Sequence, residues 1–128
     1  MFGICNLSSI PVRKNGDDKS EMISQLLYGD LYEVIEKKEK WVLIKINFDD
    51  YRGWIDNKQF SEIESENHFN ELKINKAYSL DLINFVETNN NELIPIMLGS
   101  NIGVTNYIKH TFDGEFSNKI RNRKQLIE

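Results

Sequence analysis

Apolar residues in the first sixty positions come in short bursts separated by polar turns, a spacing that predicts strands and not amphipathic helices. Residues 22–28 form an apolar-rich run that stops at the turn pair Gly29-Asp30. Residues 31–36 resume with partial alternation, and Lys37-Lys38-Glu39-Lys40 supplies a charged hairpin tip. Trp41–Ile46 is β-branched and aromatic, the composition of a strand that packs on a pleated surface. Phe48-Asp49-Asp50-Tyr51-Arg52-Gly53 reads as the next turn, and Trp54-Ile55 opens a last short strand. With an apparent first strand around Cys5, five short strands predict a small barrel, which protects its edges by closing on itself. Pro11 stands beside a polar loop at residues 14–20.

The second half begins differently. Ser61-Glu62-Ile63-Glu64 has the spacing of a capping box with Ser61 as N-cap, and a short helix through His68, Phe69 and Leu72 would set those three on one face. From Ala77 the pattern returns to strands over residues 78–86, 93–98 and 107–112, with turns at 88–92 and 99–101. The fold class this predicts is all-β.

Composition narrows the function. At 128 residues and 15.0 kDa the chain has room for one ordinary domain or two very small ones. Its 40% hydrophobic and 28% charged content excludes wholesale disorder. A net charge of −4 argues against a dedicated nucleic-acid partner, which needs a basic face. No apolar run approaches the roughly 20 residues of a membrane-spanning helix, so no membrane partner is expected. The N-terminus lacks the cationic and apolar regions of a secretory leader, which favours a soluble, cytoplasmic protein; a leader removed earlier would instead place it in the cell envelope. Residues 119–128 carry a net charge of +3 against −7 for the rest, and Arg123 to Glu128 reads as the opening of a helix or as a solvated tail.

Candidate chemistry is sparse. Cys5 has no base placed to activate it, so a half-buried, inert thiol is the expectation. His68 and His110 are expected to be packed or solvent-facing. No metal-ligand spacing, phosphate loop or nucleophile motif occurs, so no cofactor, no metal and no catalytic residue are predicted. The informative stretch is Asp49-Asp50-Tyr51. Two carboxylates beside an aromatic ring on a turn can seat an ammonium group by charge-assisted hydrogen bonds and cation–π attraction. The same residues also suit a solvated acidic hairpin whose Tyr and Trp are core. Arg13, at the start of the polar loop, offers a bidentate donor for a peptide carboxylate, or a structural salt bridge.

The order Pro11-Val12-Arg13, Ser20-Glu21, Leu26-Leu27 before Gly29, Val34, Trp41-Val42-Leu43-Ile44 and Tyr51-Arg52-Gly53-Trp54-Ile55 resembles the bacterial SH3-like domain. It is most similar to the form at the N-terminus of NlpC-type cysteine peptidases that cut cell-wall peptides. Pro95-Ile96-Met97-Leu98-Gly99-Ser100 resembles, more weakly, their second SH3-like domain. The resemblance implies two SH3-like β-barrel modules, at residues 1–61 and 77–118, joined by a helical linker at 62–76, with residues 119–128 leading toward a catalytic domain. The family's Asp-Cys-Ser-Gly motif is absent, so these modules would be non-catalytic. By resemblance, Asp50 and Tyr51, with Asp49 beside them, would help hold the free amine of L-Ala-γ-D-Glu-diamino-acid peptides. The implied partners are that cell-wall peptide and the peptidase's own catalytic domain. A module docking on intact wall polymer, and an adaptor binding a protein along a strand edge, are the alternative expectations.

Overall fold

Alternation of buried and outward residues shapes the first half. The structure, a computed structural model, describes residues 1–119. Strands β1 (Phe2–Ile4), β2 (Ser9–Arg13), β3 (Met22–Leu27), β4 (Leu31–Lys37), β5 (Trp41–Ile46), β6 (Arg52–Asp56) and β7 (Glu62–Ile63) pair antiparallel in the order β3-β2-β6-β5-β4-β1-β7. The inward positions Ile10 and Val12, Val42, Ile44 and Ile46, and Ile55 meet Cys5, Leu26 and Tyr32 in one apolar core. Fully burying a side chain of that size contributes about 1.5–3 kcal/mol. The strands expected at 22–28, 31–36 and 41–46 are all present. Residues 1–60 hold six strands and not five, because Ser9–Arg13 is itself a strand. Pro11 fits there because β2 meets β6 only at Arg13, leaving most of the strand bonded on one side. Gly53 is required by a close approach: a Cβ at this position would run into the Val12 side chain of β2.

The helix starts four residues later than the sequence suggests. Ser61 is held in extended backbone, its carbonyl accepting from Ile4 N–H at 3.0 Å and its own N–H donating to Tyr32 Oη at 3.3 Å. Glu62–Ile63 then pairs with β1. The cap passes to Ser65, whose hydroxyl accepts from His68 N–H at 3.2 Å and opens α1 (Glu66–Ile74). Of the three residues expected on one helix face, Phe69 and Leu72 are buried and His68 is half-buried.

Beyond α1 lie β8 (Tyr78–Ser79), β9 (Ile83–Glu87), β10 (Leu93–Met97), β11 (Thr111–Phe112) and β12 (Phe116–Ser117). They form one sheet in the order β10-β9-β11 and a two-stranded ribbon of β12 with β8. The single strand expected over 78–86 is therefore two, since β8 and β9 join different sheets. The strand expected over 107–112 is mostly turns. Ile108 N–H bonds to Val104 O, His110 N–H bonds to Thr105 O, and Lys109 is left-handed (φ 58°), so extended pairing starts only at Thr111. The helical opening expected at Arg123 to Glu128 lies outside the described residues. The all-β class holds.

A second apolar core joins the halves: Ile4, Tyr28 and Leu31 pack with Ile63, Phe69, Leu72, Ala77, Val86, Ile96, Ile102 and Val104. Asn101 stitches it together. Its backbone N–H donates to Tyr28 O (2.8 Å) and its Nδ2 to Gly29 O (3.2 Å), while its Oδ1 accepts from Ala77 N–H (3.1 Å) and Gly103 N–H (3.0 Å).

Candidate functional site

The loop between β5 and β6 is fixed by its own backbone. Ile46 N–H bonds to Tyr51 O and Asp50 N–H to Ile46 O, each at 2.9 Å. Asp49 Oδ1 accepts from Tyr51 N–H at 3.0 Å, closing a local turn of the kind Asp favours. Asp50 takes the left-handed conformation, φ 60°. Its side chain is 80% exposed, with Oδ1 3.9 Å from Lys45 Nζ. Tyr51 is 48% exposed, so its ring is not consumed by the core. The half-buried Trp54 lies under Lys38, whose Nζ is 4.9 Å from the indole.

Asp50 opens into a groove of about 290 Å³ whose far wall is α1. Its floor is a row across the sheet, Phe2 opposite Glu33 and Glu33 opposite Lys45, and directly opposed residues share a face. Its wall is Glu66, Phe69, Asn70 and Lys73, the i, i+3, i+4, i+7 stripe of one helix face. Phe2 and Phe69 stack at 4.1 Å between ring centroids, and Lys73 Nζ lies 4.9 Å from the Phe69 ring. Three carboxylates and two ammonium groups thus surround an aromatic floor. Among the described residues, neither Glu33 nor Glu66 is in an ion pair. The wall was not anticipated from the sequence, although the helical spacing of its four residues was there to find.

Arg13 belongs to a different place. Its Nη1 donates to Ser20 O at 3.0 Å, clasping the polar loop rather than forming a salt bridge. It lines a second groove, of about 390 Å³, with Pro11, Asp18, Trp41, Asp56 and Lys58. Trp41 begins β5 and the Asp50 loop follows its end, so at about 3.3 Å per residue the two grooves stand ~16 Å apart. The structure therefore brings together Asp49, Asp50 and Tyr51 on one loop and separates Arg13 from them.

The other candidate groups are accounted for locally. Cys5 is fully buried, its thiol donating to Leu7 O at 3.3 Å. His68 Nδ1 lies 2.8 Å from Ser65 Oγ, with its ring tilted against Tyr107. His110 Nδ1 is 2.6 Å from Tyr28 Oη; burial pushes the phenol well above its usual range and the imidazole below its usual 6.5. Among the described residues no three His, Cys, Asp or Glu side chains converge as metal ligands.

Comparison with known proteins matches residues 12–60 to the bacterial dipeptidyl-peptidase SH3 domain. The chain also superposes on the crystal structure of an NlpC/P60 family protein from Bacillus cereus, with a TM-score of 0.62 and 14% identity. That likeness is one of fold. It covers 79% of this chain, so it runs past residues 12–60 into the second half, and it covers 46% of the other, so this chain spans less than half of that protein. No curated protein matches.

Proposed function

With residues 12–60 forming a bacterial-type SH3-like domain, we propose that the chain is the non-catalytic, substrate-recognition part of a bacterial cell-wall peptide endopeptidase. Its task would be to hold the free N-terminal amine of L-Ala-γ-D-Glu-diamino-acid peptides over a thiol supplied by a catalytic domain. The observation that carries the reading is the β5–β6 loop, which fixes Asp50 with φ 60° at the mouth of an acidic, aromatic-floored groove and leaves Tyr51 half exposed beside it. A carboxylate selects an ammonium group by charge-assisted hydrogen bonding, and a ring face adds cation–π attraction. A blocked amine offers neither, so the loop would discriminate free peptides from acylated ones.

Titration of the isotope-labelled chain with the tripeptide, followed through its backbone amides by NMR, tests this. The expected result is shifts centred on residues 47–51, an affinity loss of about tenfold for Asp50→Asn, and loss of binding when the peptide amine is acetylated. Equal binding of the acetylated peptide would sink the proposal.

The groove at Trp41 supports a second reading, docking on intact wall polymer, because an aromatic rim with Arg13, Asp18, Asp56 and Lys58 can contact an extended chain. Co-sedimentation with purified sacculi, lost in Trp41→Ala and retained in Asp50→Asn, distinguishes it.

A further inference from the structure

The groove beside Asp50 has a second charged end. Glu66 and Lys73 on α1 are seven residues apart, which at about 1.5 Å per residue separates them by ~10 Å along the helix axis and leaves Lys73 clear of its acidic start. Lys73 Nζ lies 4.9 Å from the Phe69 ring, and among the described residues no carboxylate pairs with it. Burial pulls the Lys76 ammonium, three residues on, below the usual lysine range; the Asp30 charge opposes this and the Lys73 charge adds to it. The two lysines therefore feel each other, and an anion beside Lys73 relieves the repulsion. The side-chain amides of Asn47 and Asn70 line the same groove and can bond a peptide unit.

The two ends have a measurable spacing. Phe2, Glu33 and Lys45 occupy one row on three adjacent strands, so at about 4.8 Å per strand the row runs ~10 Å. Phe69, with Lys73 over its ring, stacks on the Phe2 end, and Asp50 stands at the other, 3.9 Å from Lys45 Nζ. A carboxylate one peptide unit from a free amine lies about 6 Å from it. A charge-assisted hydrogen bond of about 2.8 Å at each end extends that reach to ~11–12 Å, close to the row. In a γ-linked L-Ala-D-Glu unit the chain continues through the D-Glu side chain, so the α-carboxylate stays free at this spacing. In an ordinary α-linked peptide the same carboxyl is consumed by the next peptide bond.

We propose that Lys73 binds the D-Glu α-carboxylate of the peptide whose amine Asp50 holds, and so selects γ-linked peptides over α-linked ones. The assignment rests on the amine site at Asp50. NMR titration of the isotope-labelled chain with the tripeptide, and with its counterpart carrying a carboxamide in place of that one carboxylate, tests it. The carboxamide should bind about fivefold more weakly, the effect of one solvent-exposed ion pair. Backbone amides of residues 69–74 should shift with the acid and not with the carboxamide. Lys73→Met should lose the same factor for the acid and bind both forms alike, whereas Lys73→Arg should keep the preference. Lys73→Gln repeats the test should Lys73→Met fail to fold. Equal binding of the two forms by the wild type, or a preference that survives the loss of the Lys73 charge, overturns the role of Lys73; Asp50 keeps the amine site if acetylation of the amine still abolishes binding. An acetylated peptide that binds equally well removes the amine site and with it the pairing of the two ends. Failure of every form to bind overturns both.

Discussion

Replacing Asn101 by Ala tests how the two halves are joined. Asn101 is 3% exposed, and its side chain makes three hydrogen bonds, to Gly29 O, Ala77 N–H and Gly103 N–H. Alanine keeps the backbone bond to Tyr28 O but strands those three groups. Leaving a buried polar group unpaired costs about 1–3 kcal/mol. The groups differ in access to water: Ala77 is buried and Gly103 only partly so, so the low end suits the latter. The expected loss is about 3–5 kcal/mol, a large share of the roughly 5–15 kcal/mol that stabilises an ordinary domain. In urea, with a slope of about 1–3 kcal/mol per molar, the unfolding midpoint should fall by about 2 M. Asn101→Asp, which keeps the acceptor atom but buries a carboxylate beside the Gly29 carbonyl, should not restore it. A loss under about 1 kcal/mol for Asn101→Ala would refute the reasoning, because it would mean that water already serves these groups.

Gly29→Ala should destabilise by about 3 kcal/mol or more in the same assay, since the residue has φ 84° and a Cβ would run into the Asn101 carbonyl oxygen; a loss under about 1 kcal/mol would show that the turn can relax. His110 gives a pH dependence whose sign follows from its lowered pKa: the fold favours neutral imidazole, so its contribution is complete above about 6.5 and is lost as pH falls from there toward the folded value. Wild type should thus lose more stability than His110→Gln between pH 7.5 and 5, as read by urea midpoints, and equal losses would remove His110 from the account.

The barrel was legible because its cause is local. The β-branched and aromatic composition of Trp41–Ile46 and the Pro11-Val12-Arg13 and Tyr51-Arg52-Gly53-Trp54 runs each correspond to a strand or a close contact that the chain itself dictates. The boundaries that moved were set by distant partners. Ser61 has the chemistry of a cap, yet Ile4 and Tyr32 claim its backbone, and only the folded sheet brings them there. Residues 107–112 have strand composition, but helical-type turns after Val104 use the backbone first. At the candidate site the acidic loop was visible as a motif. The separation of Arg13 was not, because nothing in the order of residues says that the Trp41 and Asp50 ends of β5 point to opposite rims.

The second half bears on that site through α1. Nine residues are too few for a helix to persist alone in water, so α1 depends on the burial of Phe69 and Leu72 in the core shared by both halves. Phe69 is also the residue that stacks on Phe2 and carries Lys73 over its ring. The same side chain therefore anchors the helix and stacks from the groove's wall onto the Phe2 ring of its floor. The Asp50 loop is held by backbone bonds within its own hairpin, whereas the wall facing it is held only if Ile63, Ala77, Ile102 and Val104 pack beneath α1. One rim of the groove is thus intrinsic to the first barrel, and the other is lent by the second half. The Asn101 bonds that clamp the Gly29 turn to Ala77, three residues past the end of α1, then fix how far apart the two rims stand.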